Sequence, residues 1–110
     1  MYQNCEYQEL IYKVQARIKQ SKSEEFYQLL KGGSLEEQAP DGPEILASMD
    51  RATVDSSGLV RWTETCYCPT PLKHERATVY DNYFSDLQTE ETTDHERFEG
   101  ESFLKHISKS

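Results

Sequence analysis

Residues 4–31, NCEYQELIYKVQARIKQSKSEEFYQLLK, decide how the rest of the chain is read. Tyr7, Leu10, Ile11, Val14 and Ile18 recur at i, i+3, i+4 and i+7, and Gln, Lys, Arg and Glu fill the positions between. That spacing predicts an amphipathic helix over 4–31 with one apolar stripe. Asn4 is placed to cap its start. The polar run Gln20-Ser21-Lys22-Ser23 holds weaker helix formers and allows a break. Ser23 would then cap a second piece, with Phe26, Tyr27, Leu29 and Leu30 as its apolar side. Gly32-Gly33 supplies a stop, because glycine enters the left-handed C-terminal conformation without steric cost.

Beyond that stop, residues 34–50 read as an acidic linker. Glu36-Glu37 and Pro40-Asp41-Gly42-Pro43 oppose regular structure there. Within it, Pro43 to Met49 has the makings of a short helix, with proline in the first turn and Ile45, Leu46 and Met49 on one side. Residues 51–87 read as antiparallel strands. Ala52-Thr53-Val54 leads into the turn-rich Asp55-Ser56-Ser57-Gly58, and Leu59 to Cys68 returns as the second arm of a hairpin. Val60, Trp62, Glu64, Cys66 and Cys68 share one parity of that arm, and the Val60, Trp62, Cys66 side is the one to bury. Arg76 to Leu87 is expected as a third strand. Neither of its parities is cleanly apolar, which points to a bulge or turn near Asp81-Asn82, or to a strand end at Ser85-Asp86. Residues 88–99 are acidic, Thr-rich and expected to be mobile. Phe103, Leu104 and Ile107 suggest a short helix over 100–107. The fold class expected is α+β: a long N-terminal helix on a small antiparallel sheet of about three strands, with an acidic linker and a short C-terminal helix.

Composition bounds the function. One hundred and ten residues make a single small domain. Leu, Ile, Val and Phe number 21, close to the share of about 20% below which highly charged chains tend toward disorder. Twelve aromatic residues argue for a core, since each buries a large area. The formal net charge is −8. An acidic chain lacks the basic patch that displaces phosphate counterions, so nucleic acid is not the expected partner. No run approaches the roughly 18 apolar residues of a membrane span. The start, Met1-Tyr2-Gln3-Asn4-Cys5-Glu6, has neither the basic head nor the apolar run of a secretory leader, so an intracellular location, cytoplasmic or nuclear, is expected.

Three cysteines do not make a disulfide framework. Cys66, Cys68 and His74 do supply zinc-type ligands in the order Cys66-x-Cys68-x5-His74, and Cys5, His95 or His106 would have to complete a tetrahedral site. The pair spacing is tighter than usual for zinc, and a buried strand cysteine is the plainer reading. No Cys-x-x-Cys motif, phosphate-binding glycine loop or nucleophile motif is present. Carboxylates are too numerous for any pair to stand out. Thr89 and Thr93 precede acids and fit an acidic-directed phosphorylation pattern, as does Ser34.

These observations lead to an expected function: a small intracellular protein–protein interaction module or accessory subunit without catalytic activity, no cofactor, and a partner with a basic surface. Trp62, Tyr67, Tyr80, Tyr83 and Phe84 are the candidate partner-binding residues, because aromatics dominate interface hot spots. The alternative is a zinc-stabilised domain built on Cys66, Cys68 and His74. A small enzyme with a thiol or carboxylate site is a third reading.

Overall fold

The structure, a computed structural model, describes residues 10–33, 35–37, 41–66, 72 and 76–108. Five strands form one antiparallel sheet: β1 (Leu10–Ile18), β2 (Thr53–Val54), β3 (Leu59–Cys66), β4 (Phe84–Thr92) and β5 (Glu101–Ser102), in the order β4-β1-β3-β2-β5. Four helices accompany it: α1 (Ser23–Lys31), α2 (Asp41–Arg51), the single turn α3 (Asp81–Tyr83) and α4 (Phe103–Ser108). A π-helical turn, Arg76–Tyr80, runs directly into α3.

The architecture is α+β, but the long N-terminal helix and the three-stranded sheet are both overturned. Residues 10–18 are a strand, the one held between β3 and β4. Their sequence carries two periods at once. Leu10, Ile11, Val14 and Ile18 satisfy the helical spacing. Tyr12, Val14, Ala16 and Ile18 alternate with Lys13, Gln15 and Arg17, which satisfies the strand period of two. Burial follows the second pattern: Tyr12, Val14, Ala16 and Ile18 are all buried, and the residues between them are not. The β-branched and aromatic side chains of this run suit a pleated surface better than a helix. The helix begins only at Ser23, just after the polar run, with Glu24 and Glu25 in its first turn and Lys31 in its last, as the helix dipole favours.

Two further readings shift. The short helix expected over 43–49 is present but longer, running from 41 to 51 as α2, and it buries Ile45, Ser48 and Met49. The expected third strand, 76–87, is split. Val79, Tyr80, Tyr83 and Phe84 are buried at helical spacing, so the first part coils and only Phe84 onward is extended. Within β4 the register against β1 slips between Gln15 and Arg17, and Asp86 sits at φ +57°. This bulge moves the inward parity from Phe84 to Thr89 and Glu91, which face Val14 and Tyr12. It is the reason no single parity of this stretch is apolar.

The inner face of the sheet, from Tyr12, Val14, Ala16 and Ile18 to Val60, Trp62 and Phe84, meets the helices in one core. Its centre is aromatic. Phe84 lies 5.2 to 5.9 Å from Trp62, Phe26, Phe103 and Tyr80, between ring centroids, and Phe26 stacks on Tyr83 at 4.7 Å. Such geometries add about 0.5–1.5 kcal/mol per pair to the burial itself. A chain short of aliphatic residues is held together in this way by its rings.

The turn between β2 and β3 is fixed by Asp55. Its Oδ1 accepts the Ser57 hydroxyl at 2.6 Å, the Ser57 N–H at 2.9 Å and the Leu59 N–H at 3.1 Å. Gly58, at φ +90°, closes the turn. The Ser57 hydroxyl, followed by the Leu59 amide, lowers the Asp55 carboxyl below its ordinary value of 3.8. A carboxyl depressed on folding contributes stability that is complete above its unfolded value and is lost as pH falls through the folded one. Asp55→Ala is therefore expected to lower Tm at pH 7 and to flatten the decline of Tm below about pH 4. Thermal melts of both chains from pH 2 to 7 check this. Parallel curves would contradict it.

Candidate functional site

The expected interface aromatics are placed first. Trp62, Tyr80, Tyr83 and Phe84 are 0 to 6% exposed and belong to the core. A core and a hot spot draw on the same large rings, and here the rings close the chain's own interior. Tyr67, Cys68 and His74 lie outside the described residues. Cys66 is buried on the inner face, where its Sγ accepts the Leu72 N–H at 3.3 Å. Among the described residues no group of three His, Cys, Asp or Glu could hold a metal ion.

Glu64, the acid on the apolar parity of β3, is fully buried. Its Oε1 accepts the Trp62 indole N–H at 2.9 Å and the Tyr80 hydroxyl at 2.7 Å. A buried carboxyl group is costly without hydrogen-bond partners, and these two donors supply them. The trio ties β3 to the π-helical turn within the core.

The opposite face of the sheet is polar. Lys13, Gln15 and Arg17 of β1 lie beside Arg61 of β3 and Gln88 and Glu90 of β4. Residues 93–99 cross part of this face as a strap. The His95 ring sits between the Thr63 and Thr65 hydroxyls, 2.9 Å from each. The Glu96 N–H donates to Thr63 Oγ1 at 3.2 Å, and Arg97 Nη2 donates to the Asp50 carbonyl at 3.0 Å. Phe98 lies under the Arg61 guanidinium, 5.1 Å from its carbon to the ring centroid. Between strap and strands a groove of about 300 Å³ remains, lined by Lys13, Gln15, Arg61, Gln88, Glu90 and Phe98 among others.

The edges of the sheet differ. β2 pairs with β3 only at Val60 and Arg61, so the far half of β3 would present bare backbone. Helix α2 covers it. Arg51 Nη2 donates to the Thr63 carbonyl at 2.9 Å, the Thr65 N–H donates to Glu44 Oε2 at 3.0 Å, and the two side chains pair at 3.5 Å. These bonds also give the hydrogen-bonding phase of the sheet. Thr63 and Thr65 turn their backbone groups away from β1, so Tyr12 and Val14 face β3, and Ile11, Lys13 and Gln15 face β4. Their partners Thr92, Glu90 and Gln88 face back toward β1. The N–H and C=O groups of Thr89 and Glu91 consequently point outward. Among the described residues no strand lies beyond β4, and no side chain or turn caps those groups.

No family model, curated protein or solved structure matches the chain. Function therefore rests on the geometry of this molecule. A helical reading of 4–31 disperses Lys13 and Gln15 around a cylinder, and their alternation with Tyr12, Val14 and Ala16 is the signal that gathers them on one face; Arg61 lies on the parity of β3 opposite Val60 and Trp62. His95 is exposed, yet its ring is held between two threonines some thirty residues upstream, which no local pattern announces. Charge is the feature that both levels share. Between Asp86 and Glu101 the chain carries seven acids against Arg97, and β4 with its strap is this segment.

Proposed function

We propose that this chain is a protein-interaction module that accepts an extended, basic segment of a partner as an added strand along β4. The observation that carries the reading is the contrast between edges: β3 has its bare backbone covered by Arg51 and Glu44, whereas among the described residues nothing covers the outward groups of Thr89 and Glu91. A free strand edge is a template for strand addition, in which main-chain bonds give affinity and alternate side chains give specificity. Glu90, Glu91 and Asp86 flank the docking line, and the net charge of −8 steers a cationic partner while keeping two copies of the acidic edge apart.

A nine-residue peptide of alternating Lys and Val is a suitable probe, since its own charge keeps it monomeric. In amide NMR titrations it is expected to shift residues 87–92 saturably, with binding that weakens as salt rises. Thr89→Pro removes an outward N–H and leaves the β1 ladder intact, because proline is tolerated on an edge whose N–H faces solvent. It is expected to weaken the peptide about tenfold with little loss of Tm. Glu90→Pro removes a ladder donor and is expected to cost about 3 kcal/mol of stability. Peptide binding that is indifferent to Thr89→Pro would overturn strand addition.

A further inference from the structure

The groove on the polar face has a different character from the acidic edge, and it stands independently of the strand-addition reading. Lys13 and Arg61 oppose a single carboxylate, Glu90, so the groove carries one net positive charge in a chain of net charge −8. Lys13 and Glu90 are direct cross-strand partners, yet they form no ion pair, and the Lys13 ammonium makes no hydrogen bond among the described residues. Arg61 is already fixed. Its Nη2 donates to the Glu99 carbonyl at 3.3 Å, and its guanidinium carbon lies over the Phe98 ring, 5.1 Å from the centroid. Gln15 and Gln88 bond to each other at 3.2 Å and form an amide floor. Phe98, held there by the strap, supplies the aromatic ring that lines the groove among the described residues.

We infer that the groove binds a small aromatic monocarboxylate. The Lys13 ammonium and the Arg61 guanidinium would take the carboxylate, and the Phe98 ring would take the planar body. A volume of about 300 Å³ suits a single ring with a short substituent. Glu90 disfavours a second negative charge, which selects a monoanion over a phosphate dianion. Preorganisation of Arg61 and Phe98 by the strap spares the ordering cost of binding.

Benzoate is the probe, with amide NMR of the full chain as the readout. Saturable shifts are expected at Gln15, Arg61 and Gln88. Benzamide, which lacks the charge, and cyclohexanecarboxylate, which lacks the planar ring, are each expected to bind several-fold more weakly. Lys13→Gln and Phe98→Ala are expected to weaken benzoate about tenfold and fivefold. Spectra of both variants should match the parent away from the groove, which separates lost binding from lost folding. Inorganic phosphate that bound as tightly as benzoate would reduce the groove to a general anion patch and overturn the inference. So would the absence of saturable shifts, or equal binding by Lys13→Gln.

Discussion

Glu64→Leu is expected to destabilise the chain by about 3 kcal/mol, equivalent to a drop in Tm of roughly 12–15 °C for a domain of this size. The substitution looks favourable on hydrophobic grounds, because leucine is apolar and the site is fully buried. The donors decide otherwise. The Trp62 indole N–H and the Tyr80 hydroxyl both aim at Glu64 Oε1. Taking away the acceptor strands the indole N–H and the Tyr80 hydroxyl in an apolar core, at about 1–3 kcal/mol each. The gain from the added apolar surface offsets part of this. Glu64→Gln keeps an acceptor oxygen in nearly the same volume and is expected to cost about 1 kcal/mol. Urea or thermal unfolding of the two variants checks the order. A Glu64→Leu chain as stable as its parent would show that the trio holds nothing together.

Phe84→Ala is expected to cost about 4 kcal/mol, a larger loss still. Phe84 stands at the first residue of β4, with four other rings within 6 Å of its centroid. Deleting it removes burial and leaves a cavity that rigid neighbouring rings fill poorly. Typical domain stabilities are about 5–15 kcal/mol, so the variant is expected to sit near the unfolding threshold at 37 °C. The same substitution separates two roles for this aromatic set. A core ring changes Tm first and binding only through unfolding. An interface ring changes binding at constant Tm. A Phe84→Ala chain with an unchanged Tm would contradict its place at the centre of the core.

How much of this was legible in the sequence follows from the residues concerned. The face of β3 that holds Val60, Trp62 and Cys66 is readable from alternation alone, and so is the oddity of Glu64 within it. The Asp55–Gly58 turn is readable from composition, because each of its residues has a local mechanism. Residues 10–18 fit two periods, and position 14 and position 18 belong to both. Tyr12 and Ala16, which belong to the strand pattern alone, and the polar set Lys13, Gln15 and Arg17 tip the balance toward a strand. The π-helical turn at Arg76–Tyr80 is driven by a contact across sixteen residues, from Tyr80 to Glu64, which no window along the chain contains. The Asp86 bulge hides the alternation of β4 by reversing it midway. The β4 edge and the groove depend on strand order, and strand order is a property of the whole fold.

Amide hydrogen exchange along β4, with and without the alternating Lys–Val peptide, tests the proposed strand addition most directly. In the chain alone, Gln88, Glu90 and Thr92 are expected to exchange slowly and Thr89 and Glu91 fast, because only the first three donate to β1. Saturating peptide is expected to slow Thr89 and Glu91 to the rate of their neighbours. Protection of Thr89 and Glu91 before any peptide is added would mean that the edge is already covered. Peptide binding that leaves both amides fast would place the partner elsewhere on the molecule, and either result would contradict strand addition along β4.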